Sequence, residues 1–454
     1  MEGSRDMTNN KYISTVPFSG LYNWSVQYLN DSKISFNKKY PMMRIGEFLK
    51  RNKTAVTIED DKTYKRATIK VRNGGIFLRD EEIGSKIGTK NQFLITKGQF
   101  LLSKIDARNG AFGVVPEELE GGIITGNFWT FDVNYNIINP HYLALLTTTE
   151  AFIQFCEQAS NGTTNRHYLQ EPLFLNIKVP VPSLDEQNKL VKEYNKQISQ
   201  ARNLGEKARQ EELDIHAYIL SKLGVKLPNH KLSQKAKNRE LISFVNYKDV
   251  DRWDMWSKEL YIHSLLNQSI YKSVQLGALD FVGRSWKKDS ESFRYIEMSD
   301  VDPIFGIVND TIISTKDAPS RATQSVNTGD LIIGTTRPYL KRFAIVTSEH
   351  DNCICSSAFQ VIRPNKNYNL EYVYYFLRTQ LAIMQFEAFM TGALYPAINT
   401  SDLGRIKIIL PPLSVQESIA QYANKKKAKV QQAISQSRTG FVEALKTFET
   451  QIFE

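Results

Sequence analysis

Several stretches of this 454-residue chain carry residue types that could do chemistry. Gly84-Ser85-Lys86-Ile87-Gly88-Thr89-Lys90 has the glycines and cations of a phosphate loop, in which backbone N–H groups cradle phosphates and a lysine reaches them. The glycine spacing is wrong, and Thr89 stands where that lysine is needed. Asn139-Pro140-His141-Tyr142 is one residue from the Asn-Pro-Pro-Tyr motif of amino-methyltransferases. No Gly-x-Gly turn suited to a nucleotide or S-adenosylmethionine accompanies it, so it reads as a helix cap. Cys353 and Cys355, one residue apart in a strand-like run that points their side chains to opposite faces and with no second pair, make a poor metal site, and with Cys156 they read as core. The six histidines lack metal spacing, no Ser/His/Asp set can be picked out, and the carboxylates are spread along surfaces. The chain is therefore expected to do no chemistry alone and to hold no metal or cofactor.

Its charge points to binding instead. The net charge is +10, which favours polyanionic partners. Arg51, Lys53, Lys62, Lys65, Arg66, Lys70 and Arg72 crowd one early stretch, and Arg284, Lys287 and Lys288 lie near the corresponding later place. No apolar run reaches the roughly 18 residues that suggest a membrane span. Met1 to Asp6 has no apolar core of a signal peptide, so a cytoplasmic location is expected.

The elements that would position such a binding surface are written twice. Gly98-Gln99-Phe100-Leu101-Leu102-Ser103 returns as Gly329-Asp330-Leu331-Ile332-Ile333-Gly334, an offset of 231 (329 less 98). The same offset pairs Val114-Val115 with Ile345-Val346 and Phe128 with Phe359. Ile177-Lys178-Val179-Pro180-Val181-Pro182-Ser183-Leu184-Asp185-Glu186-Gln187 meets Ile406-Lys407-Ile408-Ile409-Leu410-Pro411-Pro412-Leu413-Ser414-Val415-Gln416. So long a period means duplicated domains with their own cores, not a solenoid. A duplicated domain with divergent loops suits a molecule that binds two similar objects, or one object with two halves.

The first copy, residues 1–180, reads as short strands. Gln99 to Ile105 and Gly110 to Val115 predict a hairpin, Ile123 to Val133 a strand, Pro140 the start of a helix carrying Leu143, Leu146, Phe152 and Phe155, and Leu173 to Val179 a last strand. From 181 to 228 the pattern becomes a long helix with a linker. Leu184, Val191 and Ile198 repeat at seven, as do Tyr194, Ala201, Ala208 and Ile215, with Glu212 interrupting the stripe and allowing a bend. Leu184 to Lys222 would span roughly 58 Å. The strand-rich pattern restarts over 229–408, and a second long helix follows over 409–454, with Ile419, Val430 and Phe441 in its stripe. Pseudo-two-fold symmetry would make the two helices antiparallel, with the globules at opposite ends.

This layout resembles a DNA specificity subunit of a Type I restriction–modification system. The resemblance is carried by the two Gly-x-Leu/Phe-Ile/Leu strands and by the glycine-containing loops Gly162–His167 and Gly392–Pro396. The strand–proline–Leu–x–x–Gln entry into each long helix completes it. It implies an α+β fold in which two similar strand-rich target-recognition domains are separated by two long antiparallel coiled-coil helices. It further implies that the domains read the halves of a split site on double-stranded DNA while the helices set the gap. The helices would dock two methyltransferase subunits, and two restriction subunits would complete the assembly. S-adenosylmethionine and ATP would then bind the partners and not this chain.

Modules held that far apart address DNA positions on the order of fifteen base pairs apart or nearer. Arginine or lysine can take guanine and asparagine adenine in the major groove. The candidate DNA-binding residues are Lys104, Arg108, Asn109, Thr164, Asn165, Arg166 and His167 in the first copy. Arg284, Lys287, Arg337, Tyr339, Lys341, Arg342 and Tyr395 are the candidates in the second. Two rivals fit the same sequence: the recognition portion of a methyltransferase–endonuclease of another restriction class, and a non-catalytic protein-binding scaffold.

Overall fold

The computed structural model describes residues 39–71, 74–158, 160–161, 168–227, 256–283 and 285–453. They fall into two compact units, Met1–Ala201 with Arg438–Glu454, and Arg202–Ser437. The unit boundary thus falls inside both long helices, Leu184–Lys222 and Leu413–Phe453.

The first unit has a four-stranded sheet in the order Leu49–Asn52, Phe128–Val133, Phe100–Ser103, Phe112–Val114. Beside it lies a five-stranded sheet in the order Ala55–Thr57, Asn91–Ile95, Gly122–Ile124, Thr63–Lys70, Gly75–Ile83. Successive side chains of a strand point to opposite faces. Phe100 and Leu102 accordingly face Tyr142, Phe152 and Phe174 of the helical layer, while Leu101 faces Ile76, Ile95 and Ile124 of the second sheet. A strand covered on both faces needs apolar residues at every position, which is why the duplicated motif is a continuous apolar run.

In its central strands the second unit repeats this pairing residue for residue. Leu102 lies opposite Phe112 and Trp129, and Ile333 lies opposite Phe343 and Gln360. Leu94 faces Ile123, and Ser325 faces Ile354, again 231 residues on (325 less 94, 354 less 123). Leu331 and Ile333 point into the helical layer, whereas Ile332 packs with Ile296, Cys353 and Cys355. The edge strand Ala55–Thr57 has no counterpart strand among the described residues. In its place the N–H groups of Ser285 and Trp286 donate to the Thr323 carbonyl.

Three expectations from the sequence change in detail. Ile123 to Val133 is two strands, Gly122–Ile124 and Phe128–Val133, in different sheets. The stretch from Leu173 begins inside a short helix, Glu171–Asn176, with Pro172 in its first turn, and only Lys178–Pro180 is strand. The helix from Pro140 ends at Leu146, and a second helix covers Glu150–Gln158. Asn139 does cap this first helix, accepting from the His141 N–H at 2.8 Å.

Each long helix is seated by a buried glutamine. Gln187 Nε2 donates to the Pro182 and Ile137 carbonyls (2.8 and 3.0 Å), and its Oε1 accepts from the Asn139 N–H (2.7 Å). Gln416 Nε2 donates to the Pro411 carbonyl (2.7 Å), and its Oε1 accepts from the Asn369 N–H (2.9 Å). Tyr142 and Tyr372 complete the joint, donating to the carbonyls of Pro180 and Ile409.

Within each unit the two helices run antiparallel. In the first, Leu190 and Tyr194 lie beside Ala444 and Phe448, and a Cβ on Gly440 would stand 3.1 Å from the Ala201 Cβ. In the second, Glu211 meets Lys426 at 2.6 Å, and the Tyr218 and Tyr422 rings stack at 3.7 Å. Ile198, Ala201, Ile419 and Val430 are buried, and Val191 and Tyr194 pack half-buried on the first core. Leu184 is half-buried. Phe441 corrects the expectation: it is 40% exposed. The buried line passes from Val430 at sevens through Ser437 and Ala444, whose small side chains let the backbones approach, so position 441 falls outside it.

Replacing either glutamine with leucine removes one donor and one acceptor and strands their backbone partners. Gln187→Leu and Gln416→Leu should each cost roughly 1–3 kcal/mol in denaturant unfolding. Loss below a few tenths for both would show that the joint is not held by these bonds.

Candidate nucleic-acid interface

The loops that the sequence singles out are framed the same way in both modules. In the first, the Lys104 N–H donates to the Asn127 carbonyl (3.0 Å) and the Leu169 N–H donates to the Lys104 carbonyl (2.9 Å). In the second, the Thr335 N–H donates to the Ala358 carbonyl (2.8 Å) and the Ile398 N–H to the Thr335 carbonyl (2.9 Å). Leu169 thereby lies beside the start of the loop from Lys104, and Ile398 beside the start of the loop from Thr335. Each frame then carries a single 3-10 turn, Ala107–Asn109 or Pro338–Leu340, that closes on a left-handed residue. That residue is Gly110 (φ 73°) in the first module and Lys341 (φ 55°) in the second.

The side chains on the two frames differ. Lys104 holds its ammonium 5.7 Å from the Tyr168 ring centroid. Arg108 is half-buried, and Asn109 is exposed, donating from Nδ2 to Asp106 Oδ1 at 3.2 Å. Thr164, Asn165, Arg166 and His167 lie outside the described residues, as does Arg284. In the second module Arg337 adopts φ 49°. Its N–H donates to the Pro396 carbonyl (2.7 Å), and its Nη2 donates to the Leu394 carbonyl (3.0 Å). Its guanidinium sits 5.0 Å from the centroid of the exposed Tyr395 ring, while Nε is buried without a hydrogen-bond partner. Lys287 is exposed, and Tyr339 is half-buried against the core beneath.

Lys341 and Arg342 are engaged inward, which the loop pattern did not anticipate. Arg342 Nη1 donates to the Met298 and Val301 carbonyls (2.5 and 3.2 Å). Lys341 Nζ stands 4.0 Å from Glu212 on the long helix, and the same carboxylate accepts from Arg378 Nη2 at 2.9 Å. Arg378 Nη1 also donates to the Lys341 carbonyl (3.1 Å), so one buried guanidinium ties loop to helix. In the sequence Glu212 reads only as an interruption of an apolar stripe. A carboxylate on the packed, half-buried side of a helix calls for a cation, which is the signal this position carries.

The early cations are not one open patch either. Arg51 donates to the Asn52 and Thr130 carbonyls and lies 3.7 Å from Glu171, and burial lowers its pKa. Arg66 pairs with Asp80 at 2.6 Å, and Lys62 with Glu59 at 2.7 Å. Lys53 and Lys70 are exposed.

Burial also opposes ionisation of Glu212, but the charges of Arg378, Lys341 and His216 outweigh it and hold its carboxyl below the usual range. Burial lowers Lys341 and pushes the His216 imidazole down to about 3, with Lys341 acting in the same direction. The unfolded chain protonates His216 near its ordinary 6.5, the folded chain only near 3. Its contribution is therefore intact above pH 6.5 and is lost as pH falls below that. His216→Gln should narrow the drop in melting temperature between pH 7 and pH 5, where Glu212 is still ionised. An unchanged drop would mean that His216 is not what titrates.

Among the described residues no group of histidine, cysteine and carboxylate side chains could hold a metal, and no helix is long and apolar enough to cross a membrane. Comparison with known proteins agrees with the duplicated architecture. The family model described as "Type I restriction modification DNA specificity domain" matches residues 37–213 and 284–431. The HindI specificity subunit of a Type I restriction enzyme from Haemophilus influenzae is 27% identical over 111 residues, which is 24% of this chain and 24% of that one. The match thus spans about a quarter of that relative's length. A chain from a structure of a type I R-M system assembly matches at TM-score 0.51 with 16% identity, covering 92% of this chain and 97% of that one. The S subunit of a Type I restriction–modification system from M. genitalium matches at TM-score 0.45 with 12% identity, covering 92% and 98%. With both copies matched and most of its length covered, this chain belongs to the Type I restriction–modification DNA specificity family.

Proposed function

We propose that each module reads one half of a bipartite, asymmetric site on double-stranded DNA, and that the two long helices set the gap and dock two methyltransferase subunits. In this reading the chain is the non-catalytic specificity subunit of the complex. S-adenosylmethionine sits on the methyltransferase partners, and ATP on the two restriction subunits of the larger assembly. The observation that carries the reading is the repeated frame: identical backbone bonds at Lys104 and Thr335 present different side chains. A conserved scaffold with divergent tips is what two recognition sites for different sequences require. Phosphate contacts orient such a protein, while contacts to base edges specify the sequence. Arg108, Asn109, Arg337 and Tyr395 sit on or beside the two frames and are the side chains we assign to recognition. Lys53, Lys70 and Lys287 are exposed cations suited to phosphates.

Selection from a random duplex pool by the full chain should enrich two short sequence blocks separated by a constant gap. Affinity should fall steeply as salt is raised. Arg108→Ala and Arg337→Ala should each weaken cognate binding about tenfold or more, the scale of one good base contact, with melting temperature little changed. The chain alone, given DNA and S-adenosylmethionine, should transfer no methyl group. Methylation without a partner would favour the single-chain methyltransferase–endonuclease reading. Enrichment of no sequence, with a shallow salt dependence, would favour the scaffold.

A further inference from the structure

Resting on the DNA-reading role of the second module, we propose that Leu394, backed by Tyr395, is an apolar wedge that enters the base stack of that module's half-site. Leu394 is 81% exposed and Tyr395 is 73% exposed, side by side at a loop tip. A single exposed leucine is ordinary and needs no explanation. This pair is different because the tip that carries it is closed at its base and gripped by the neighbouring loop.

Thr391 and Ala397 exchange both backbone hydrogen bonds at 2.8 Å, closing the loop at its base. Gly392, at φ 101°, makes the turn, and a Cβ there would meet the Tyr395 carbonyl oxygen at 3.1 Å. The neighbouring loop grips the tip through the Arg337 N–H to Pro396 and Arg337 Nη2 to Leu394. The Arg337 guanidinium against the Tyr395 ring fixes that ring's place. The apolar side chains therefore project from an ordered backbone that lies beside the base-reading turn. Proteins that kink DNA insert such side chains, leucine among them, between base steps, and accept the unstacking cost in return for added contact. A cation stacked behind the ring also suits a surface that meets bases and phosphates together.

The wedge belongs to the second module only. The corresponding stretch of the first, Gly162-Thr163-Thr164-Asn165-Arg166-His167, carries no large apolar side chain. That asymmetry supplies an internal control.

The test uses the full chain without partner subunits and its selected duplex, with 2-aminopurine placed in turn at each position of both half-sites. Binding should raise 2-aminopurine fluorescence severalfold at one step in the half-site read by the second module, and nowhere in the other. Leu394→Ala should abolish that rise and weaken cognate binding about tenfold. Its salt dependence and melting temperature should stay unchanged, since no phosphate contact and no packing is lost. No rise at any position, or a rise that survives Leu394→Ala, overturns the wedge. A dark stack with affinity lost on replacing one thymine by deoxyuridine would overturn it in favour of a groove contact to the thymine methyl. Absence of any sequence-selective binding by the unmodified chain would instead be a failure of the DNA-reading role itself.

Discussion

The joint at the foot of each long helix is where the architecture is decided. Gln187 and Gln416 are fully buried, and each satisfies the carbonyl of the proline turn that precedes its own helix. Each also accepts the N–H of the asparagine that caps a helix of the globular layer. A side-chain amide has both a donor and an acceptor face, so it can link two backbone segments that have spare groups of opposite kind. A carboxylate cannot donate to the proline carbonyl, and an apolar side chain can do neither. The direction in which the chain leaves each module is therefore set by one buried residue, and the tyrosine hydroxyl bonds at Pro180 and Ile409 hold the same strand end from the other side.

That joint explains why so much of the fold is legible in the sequence. The proline–Leu–x–x–Gln entry recurs because the hydrogen-bonding geometry recurs. The apolar run in Gly98–Ser103 and Gly329–Gly334 recurs because both faces of those strands are covered. Asn139-Pro140-His141-Tyr142, suggestive of methyl-transfer chemistry in isolation, is accounted for in full by a cap, a first-turn proline and a buried tyrosine. Its counterpart starting at Asn369 caps its helix in the same manner with different letters. What the sequence conceals are breaks that depend on tertiary neighbours. Gly126-Asn127 is a local turn signal inside Ile123–Val133, but nothing local says that the turn passes the chain from one sheet into another. Likewise, periodicity alone cannot distinguish Phe441 from Ala444, because choosing between them requires knowing which helix face has a partner close enough to demand a small residue.

The candidate site was legible as loops and not as side chains. The backbone frames at Lys104 and Thr335 recur where the repeat offset puts them, since they are made of backbone bonds that any sequence can form. Side-chain direction followed no such rule. Lys341 occupies the left-handed position that Gly110 holds in the first copy, a conformation costing an ordinary residue roughly 1 kcal/mol or more. It persists because Arg378 holds its carbonyl and Glu212 faces its ammonium. A loop cation was thereby converted from a surface charge into part of the support.

On the proposed DNA-reading role, the support matters for recognition more than for stability. A buried ion pair is weak evidence of net stabilisation, because desolvating both charges consumes most of what their attraction returns. Its geometric effect is less easily cancelled. Glu212, Arg378 and the Lys341 carbonyl together leave the Pro338–Leu340 turn few alternative placements, and Arg337 at its start grips the neighbouring tip. Ordering a loop at the moment of binding costs affinity, and ordering it beforehand removes that cost from the binding step. It also removes the slack by which a mobile loop could settle on a wrong base. On that proposal, two modules that share a frame can diverge in sequence preference by changing tips and braces while the sheets beneath stay the same.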